Sequence, residues 1–361
     1  MERMRSFAQF LLVLVLGATF VPSKTDAMQY PATSWEKVDS PEKAGWSSEK
    51  LRQAREYSAT IGSSAVIIVY QGRVLDEWGE VAVRYKCHSI RKSFLSALYG
   101  IFRQEGKINL SSRLVELGVD DISPTLNEEE KQARIEDLLK SRSGVYHPAA
   151  AEIPAMAALR PTRGSHKPGE FWYYNNWDFN ALGAVFEKLT NTTIGRAFKE
   201  RIADPIQMQD FRAMDVEYSR IGASVHRAYP VRMSARDMAR FGLLYLRRGI
   251  WRDRQVIPQE WVEVSTKAHS LFGDQGVFGV YGGYGYLWWA AVDGKQFPGV
   301  DLKQGAFSAQ GAGGHYIVVI PAYDLVIVHR TDTDRAAPAD DVEEIAEKFG
   351  ALLNLILSAR R

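Results

Sequence analysis

The hydrophobic pattern differs between the two ends of the chain and its middle. Near the N-terminus, Ser47 or Ser48 can begin a helix that ends at about Gly62, and a continuous apolar run at 65–70 follows. The run reads as a buried strand, and Gln71-Gly72-Arg73 supplies a turn into a second strand at 74–78. The last third of the chain returns to this pattern. There it predicts four strands and a closing amphipathic helix, at 284–290, 307–312, 315–320, 325–329 and 341–358.

Helical spacing of apolar residues dominates the middle of the chain. A helix is predicted from Ser89 to about Gln104, and a spacing such as that of Leu182, Val185 and Phe186 recurs between about 105 and 250. Elements in this order predict an α+β fold, with an antiparallel β-sheet built from N- and C-terminal segments and flanked by helices. An all-helical lobe, about 105–250, is inserted into it. A ligand cleft is expected between the two lobes.

The first 27 residues have the pattern of an export signal. Arg3 and Arg5 precede the apolar run 7–21, and Pro22 and a polar stretch that ends at Ala27 follow it. A positive, then apolar, then small-residue order is typical of a secretory signal. We expect residues 1–27 to be removed, which leaves 28–361 as a single two-lobed domain, exported to the periplasm or secreted, with no stable membrane insertion. The alternative is an uncleaved N-terminal anchor.

Charge and composition narrow the classes of partner. The chain of 361 residues carries 45 basic and 43 acidic residues, a net charge of +2, and no segment concentrates the basic ones. Nucleic acid and anionic membranes are therefore not expected as partners. Cys87 is the single cysteine, so no internal disulfide forms, and we interpret it as a small buried residue. The seven histidines lack zinc-ligand spacing. We expect neither a metal nor another cofactor.

Ser89-Ile90-Arg91-Lys92 is the first pattern that predicts chemistry. Residues i and i+3 share one face of a helix, so the Lys92 amine can reach the Ser89 hydroxyl. The rest of this helix is apolar, and burial lowers the pKa of a lysine, which allows it to act as a base. The first turn of a helix also favours negative charge. The spacing predicts Ser89 as a nucleophile.

Spacing alone does not single out Ser89. Ser40…Lys43 and Ser47…Lys50 have the same Ser-x-x-Lys spacing, but neither precedes a strongly apolar helix. Ser40 precedes Pro41 in a polar segment and Ser47 is interpreted as a helix cap, and the competing interpretation of Ser89 is another capping serine beside a surface lysine.

A second motif, PGEFWYYNN at 168–176, ends a loop before the next helix. Together with Ser-x-x-Lys it resembles the serine β-lactamase and penicillin-binding protein superfamily. Within it the chain is similar to the class C β-lactamase-related esterases and amide hydrolases, including the 6-aminohexanoate-dimer hydrolase type. In this family the stretch reads Pro-Gly, aromatic residues, then Tyr-x-Asn. Tyr173…Asn175 and Tyr174…Asn176 both fit, and counting from Pro-Gly selects Tyr174 and Asn176. The competing interpretation is a buried aromatic loop.

The third motif is the glycine-rich stretch AQGAGGH at 309–315. In the family a lysine or histidine starts this strand, whereas here Ala309 stands in that place. The stretch is similar to the Gly-x-Gly-Gly-Gln of the esterase-like branch, with His315 in place of the glutamine. The resemblance implies that the Ala312 N–H joins that of Ser89 in an oxyanion hole. A glycine-rich hairpin without a catalytic part is the alternative.

The resemblance covers roughly residues 40–355 and implies an acyl transfer in two steps. Ser89 would attack an ester or amide carbonyl, Lys92 and Tyr174 would share the proton handling, and Asn176 would position Lys92 and the substrate. Which of Lys92 and Tyr174 is the general base stays open. The further candidates are residues expected to bind the small-molecule substrate: Tyr146, Trp172, Gly311, Gly313 and His315.

Ala309 bears on the choice of substrate. The lysine or histidine that it replaces binds the carboxylate of β-lactams and peptide C-termini in relatives, so a smaller ester or amide is the expected substrate. Two alternatives remain. One is a β-lactamase or a D-amino-acid peptidase of the cell wall, and the other is a non-catalytic homologue that binds acyl or cell-wall ligands.

Overall fold

The computed structural model describes residues 28–122, 124–273, 277–335 and 341–361. The predicted export signal, residues 1–27, lies outside the described residues. Within the described ranges, no helix has the length and apolar character that crossing a membrane requires.

The described residues form helices and mostly short strands. The helices are α1 (Ser48–Thr60), α2 (Ile90–Gln104), α3 (Ile135–Leu139), α4 (Pro154–Ala158), α5 (Asn176–Thr190), α6 (Ile194–Phe198), α7 (Ala235–Leu246), α8 (Gln259–Thr266) and α9 (Val342–Ser358). The strands are β1 (Ser63–Tyr70), β2 (Arg73–Gly79), β3 (Tyr85–Lys86), β4 (Arg232–Met233), β5 (Ile250–Trp251), β6 (Arg254–Gln255), β7 (Ser270–Leu271), β8 (Gly283–Tyr284), β9 (Trp289–Ala290), β10 (Phe307–Gly311), β11 (His315–Ile320) and β12 (Leu325–Thr331).

The central sheet joins the two ends of the chain. Its strand order is β2-β1-β12-β11-β10-β9-β8-β7, and its pairs are antiparallel. β1 from the N-terminal part lies between β2 and β12, with Ile67 opposite Val328. The predicted antiparallel sheet flanked by helices is therefore confirmed.

Each face of the sheet is covered by its own hydrophobic layer. Val66 and Ile68 of β1 pack with α1 and α9, whereas Ile67 and Val69 belong to the larger cluster that contains α2 and α7. A strand buried on both faces needs apolar residues at every position rather than at alternate ones. This explains the continuous apolar run of β1.

The helical middle of the chain meets the sheet through α2 and α7. α2 contacts α5, α6, α8 and the strands β10 and β11, while α7 packs directly on β1, β11 and β12. α2 therefore lies between the sheet and the helices α5, α6 and α8. Its residues from Ile90 to Phe102 are all buried.

One predicted strand is wrong. The run 284–290 was expected to be continuous, but the structure divides it into β8 and β9, joined by a turn at 285–288 in which Leu287 has φ +63°. Two serine hydroxyls of α2 donate to carbonyls of this turn, Ser96 to Tyr286 and Ser93 to Leu287, both at 2.7 Å. Because these two carbonyls accept hydrogen bonds from α2, they do not pair with a neighbouring strand.

Candidate active site

Ser89 occupies the N-cap position of α2, but its hydroxyl does not cap the helix. The residue has helical dihedral angles, and its side chain accepts no bond from a backbone N–H of the first turn. The hydroxyl lies instead 2.7 Å from Lys92 Nζ. The capping interpretation therefore does not describe Ser89.

Lys92 is buried between two hydroxyl groups. Only 2% of the residue is exposed, and its Nζ donates to Tyr174 OH at 2.8 Å in addition to its contact with Ser89. The amine also lies 4.4 Å from the ring centres of Tyr174 and Phe179. Burial, and then the neighbouring Arg91 guanidinium, hold the pKa of Lys92 well below its usual value. No carboxylate pairs with Lys92 among the described residues. These surroundings favour the neutral form of the Lys92 amine.

Tyr174 reaches the site from the loop before α5. It is buried, and burial raises the pKa of its phenol to about 12. Tyr173, which offers the other register of the motif, directs its hydroxyl away to the Met156 carbonyl at 2.8 Å. The structure thus brings Ser89, Lys92 and Tyr174 together in the register counted from Pro168-Gly169.

Asn176 begins α5 and is directed at the wall of the site. Its amide nitrogen donates to the Ala151 carbonyl at 3.0 Å and to Met156 Sδ at 3.3 Å. Its Oδ1 is buried and has no hydrogen-bond partner among the described residues, and no hydrogen bond joins it to Lys92. The contact with Lys92 that the resemblance implies is therefore not formed here, because the 151–156 segment holds the amide.

The glycine-rich stretch forms the hairpin between β10 and β11, opposite Ser89. Gly311, Ala312 and Gly313 line the same cleft as Ser89, while Ala309 is completely buried below them. A Cβ built on Gly311 would lie 2.4 Å from the Cys87 carbonyl oxygen. Only glycine allows the hairpin to approach the chain before Ser89 this closely.

Three of the predicted substrate-binding residues do not line this cleft. Tyr146 is buried against Tyr173, and Trp172 packs behind Trp289, which itself reaches the cleft. His315 is fully buried behind the hairpin, where its Nδ1 accepts from Arg330 at 2.9 Å. The alternation of side chains along β11 turns His315 away from the cleft.

Cys87 is fully buried beside the hairpin. Burial raises the pKa of its thiol to about 12. The thiol is therefore protonated at neutral pH, as expected of a residue with a packing role.

The cleft itself is largely apolar. No described residue that lines it carries a formal charge. Gln310 supplies the one carboxamide in this wall, and its Nε2 donates to Ser308 Oγ at 2.9 Å. Several cleft residues could not be identified from the sequence, since apolar side chains in loops, in α4 and in α9 carry no motif: Ile153, Met156, Phe278, Val280, Val342, Ile345 and Ala346.

The residues that the structure describes contain no group of three or more His, Cys, Asp or Glu side chains close enough to hold a metal ion. The chemistry that this site offers comes from an alcohol, a buried amine and a phenol in one hydrogen-bonded row. The amine can take the proton of the alcohol, and the phenol can give one up.

Comparisons with known proteins agree with this fold. The family model described as Beta-lactamase matches residues 49–350. No curated protein has a matching sequence.

Solved structures share the fold at low sequence identity. A putative 6-aminohexanoate-dimer hydrolase from Bacillus anthracis has a TM-score of 0.58 and 19% identity over 83% of this chain and 80% of that one. A penicillin-binding protein from Bacillus halodurans has a TM-score of 0.60 and 14% identity over 84% and 99% of the two chains. EstCE1, a hydrolase with promiscuous acyltransferase activity, has a TM-score of 0.57 and 14% identity over 84% and 97%.

Proposed function

The chain belongs to the beta-lactamase family, and from this premise we propose that it is a serine hydrolase that cleaves an ester or amide through an acyl-enzyme on Ser89. The observation that carries the proposal is the position of Lys92 Nζ, 2.7 Å from Ser89 Oγ and 2.8 Å from Tyr174 OH. A buried lysine without a carboxylate partner is costly to keep charged, so its neutral amine is available as a base.

The proton path follows from the two pKa directions. Burial lowers the pKa of Lys92 and raises that of Tyr174 to about 12, so at neutral pH the amine is free and the phenol is protonated. We propose that Lys92 takes the Ser89 proton while Oγ attacks the carbonyl carbon. The oxyanion is stabilised by the N–H groups of Ser89 and Ala312. The bond to the leaving group then breaks, Tyr174 protonates that group, and Lys92 returns a proton to Tyr174.

Deacylation follows the same order of proton transfer and attack, with water as the nucleophile. The Lys92 amine takes a proton from water, the resulting hydroxide attacks the acyl carbon, and Ser89 leaves with that proton restored. Substrate acid and alcohol or amine are the products. The balance needs no metal or redox group.

The apolar, uncharged cleft supports a neutral ester or small amide as the substrate. A β-lactam or a peptide C-terminus carries a carboxylate, and no described residue that lines the cleft supplies a cation to bind it, since Ala309 stands where relatives carry a lysine or histidine. Two of the structurally similar proteins carry the names 6-aminohexanoate-dimer hydrolase and hydrolase with promiscuous acyltransferase activity, which agrees with this proposal.

We also propose that the protein is exported, on the pattern of residues 1–27. Expression of the full chain in a bacterium, followed by intact-mass analysis of the periplasmic and medium fractions, tests this. A mature species that begins near Met28 supports export, and a full-length protein in the cytoplasm contradicts it.

Covalent labelling tests the proposed nucleophile. Ser89→Ala should abolish labelling by a fluorophosphonate probe and turnover of a short-chain nitrophenyl ester, while Ser47→Ala, another helix-start serine, should retain both. Labelling of the Ser89→Ala protein at wild-type level would show that another residue is the nucleophile.

A substrate panel separates the alternatives. Wild-type protein is incubated with the nitrophenyl ester, a chromogenic cephalosporin and a D-Ala-D-Ala peptide, and the mass shift and turnover are recorded. Preference for the ester supports our proposal. Preference for either of the other two supports a cell-wall role, and no mass shift with any of them supports a non-catalytic homologue.

A further inference from the structure

The two N–H groups of the proposed oxyanion hole come from segments that are distant in sequence. Ser89 starts α2, whereas Ala312 lies in the hairpin between β10 and β11. Hydrogen-bond donors of an oxyanion hole act only when both are about 2.7–3.1 Å from one oxygen position. Some contact must therefore hold the two segments at a fixed separation.

The hairpin half of the hole is anchored on β12. Thr331 Oγ1 donates to the Gly313 carbonyl, and His329 Nδ1 donates to the Gly314 carbonyl, both at 2.5 Å. These bonds fix the hairpin on the sheet but do not reach Ser89.

The residue before Ser89 has a strained backbone. His88 has φ +46°, in the left-handed region that non-glycine residues seldom occupy. Such a conformation is unfavourable for a residue with a side chain and persists where the surrounding structure holds it. The side chain of His88 shows what holds it, since its Nε2 lies 2.7 Å from Thr333 Oγ1.

Thr333, just after β12, also contacts the other segment. Its Oγ1 lies 3.1 Å from Nε2 of His315, which follows the hairpin. The two imidazole rings, His88 and His315, lie 5.2 Å apart between their centres, on either side of this hydroxyl. One hydroxyl thus connects the residue before Ser89 with the residue three positions after Ala312.

Arg330 determines which group donates in the hydrogen bonds that join His315, Thr333 and His88. Its Nε donates to His315 Nδ1 at 2.9 Å, so His315 carries its proton on Nε2 and donates to Thr333. The Thr333 hydroxyl is then free to donate to His88. Burial and the Arg330 charge lower the pKa of His315 well below its usual value and that of His88 to about 4, which keeps both rings neutral.

Arg330 fixes the same two segments by a second route. The fully buried guanidinium donates to the carbonyls of Tyr85 and Lys86 at 3.0 Å, in the strand that leads to Ser89. Arg330, His315, Thr333 and His88 therefore form a continuous chain of contacts beside the proposed hole, in which Arg330 and His315 are buried and Thr333 and His88 are half-buried.

We infer that Thr333 is a positioning residue that sets the separation of the Ser89 and Ala312 N–H groups through His88 and His315. The inference rests on the proposed function. Thr333 is not among the residues that line the cleft, so we do not expect it to contact the substrate. Its effect is therefore on the stabilisation of the transition state and not on substrate binding.

Thr333→Val tests this inference, because valine has the shape of threonine without the hydroxyl. For nitrophenyl-ester hydrolysis we expect kcat to fall about tenfold with KM unchanged within about twofold, less than the loss of a whole oxyanion donor. Thr333→Ser keeps the hydroxyl and should restore kcat to within about twofold of wild type. The matched control is Thr266→Val on α8, where the hydroxyl donates to the Val262 carbonyl and wild-type kinetics are expected.

A second variant keeps the test independent of how valine packs. His88→Asn tolerates the left-handed backbone but cannot reach Thr333. Its kcat should fall as in Thr333→Val, and the double variant should fall no further, since both remove one link. The rate of fluorophosphonate labelling should follow kcat in all variants.

Wild-type kcat in Thr333→Val, equal losses in the valine and serine variants, or a change confined to KM would each overturn the role of Thr333. Additive losses in the double variant would do the same. If wild-type protein shows no Ser89-dependent labelling or turnover, the proposed function itself fails, and this outcome is distinguishable from the others.

Discussion

Two helix starts in this protein carry the same Ser-x-x-Lys spacing and use it differently. At the start of α1, Ser47 Oγ accepts from the backbone N–H of Lys50 at 3.3 Å, and the Lys50 amine donates to the Ser358 carbonyl at the surface. At the start of α2, Ser89 makes no cap bond and the Lys92 amine itself lies against the serine. Ser47 thus caps the first turn of α1, whereas Ser89 contacts the amine of the lysine one turn later.

Burial accounts for the difference. α1 buries only Leu51, Ala54 and Ser58, whereas every residue of α2 from Ile90 to Phe102 is buried. A lysine on α1 extends into water, but Lys92 has no such route, and its amine can meet only the polar groups that the core provides. The environment of the helix, and not the Ser-x-x-Lys spacing, therefore decides which groups the serine and the lysine contact.

The largest expected effect separates the two lysines. Lys92→Met should lower kcat/KM by about 10³-fold, because the general base is lost, whereas Lys50→Met should leave it unchanged. Steady-state hydrolysis of the nitrophenyl ester measures both. Similar kinetics in the two variants would remove the distinction drawn between the two helix starts.

The second prediction concerns Tyr174, whose hydroxyl accepts a hydrogen bond from Lys92 at the start of α2. Tyr174→Phe should lower kcat about 10²-fold through loss of the proton donor. Tyr173→Phe removes a hydroxyl that bonds to the Met156 carbonyl, so its smaller effect should be on KM. A larger kcat loss in Tyr173→Phe would favour the other register of the motif.

The third prediction concerns Arg91, the buried positive charge next to Lys92. Arg91 is 3% exposed, and its described partners are neutral: it donates to Asn180 Oδ1 at 3.3 Å and lies over the Tyr229 ring. This positive charge lowers the pKa of Lys92. Arg91→Met removes the repulsion, so Lys92 should hold its proton to higher pH.

Because the proposed mechanism requires neutral Lys92, the acidic limb of the kcat/KM profile should move to higher pH in Arg91→Met. The melting temperature should not fall, since an unpaired buried charge is removed. Arg103→Met, an exposed position on the same helix, is the control. A limb that stays in place or moves to lower pH contradicts this role of Arg91.

The smallest effect is on stability. Ser47→Ala should lower the free energy of unfolding by about 1 kcal/mol, because it removes a helix cap. Ser89→Ala should lower it by less, because no cap bond is lost there. Urea denaturation of both variants measures the difference, and a larger loss for Ser89→Ala would mean that its hydroxyl has a structural role.

Much of the fold could be predicted from the sequence. The apolar run of β1, the strand β11 and the apolar face of α9 are local patterns, and the structure has them close to the predicted bounds. The order of elements predicted the antiparallel sheet built from both ends of the chain. The run 284–290 could not be divided from sequence, because its turn is held by hydroxyl groups of α2.

At the candidate site, Ser89, Lys92, the aromatic loop and the glycine-rich hairpin could all be identified from the sequence. Only the tertiary structure decided that Lys92 is buried against Tyr174, that Asn176 is held by Ala151, and that His315 lies behind the hairpin with Thr333 and Arg330. The physical reason is the range of the interactions. Periodicity records which face of an element is apolar, whereas the pKa of Lys92 depends on what distant segments pack around it.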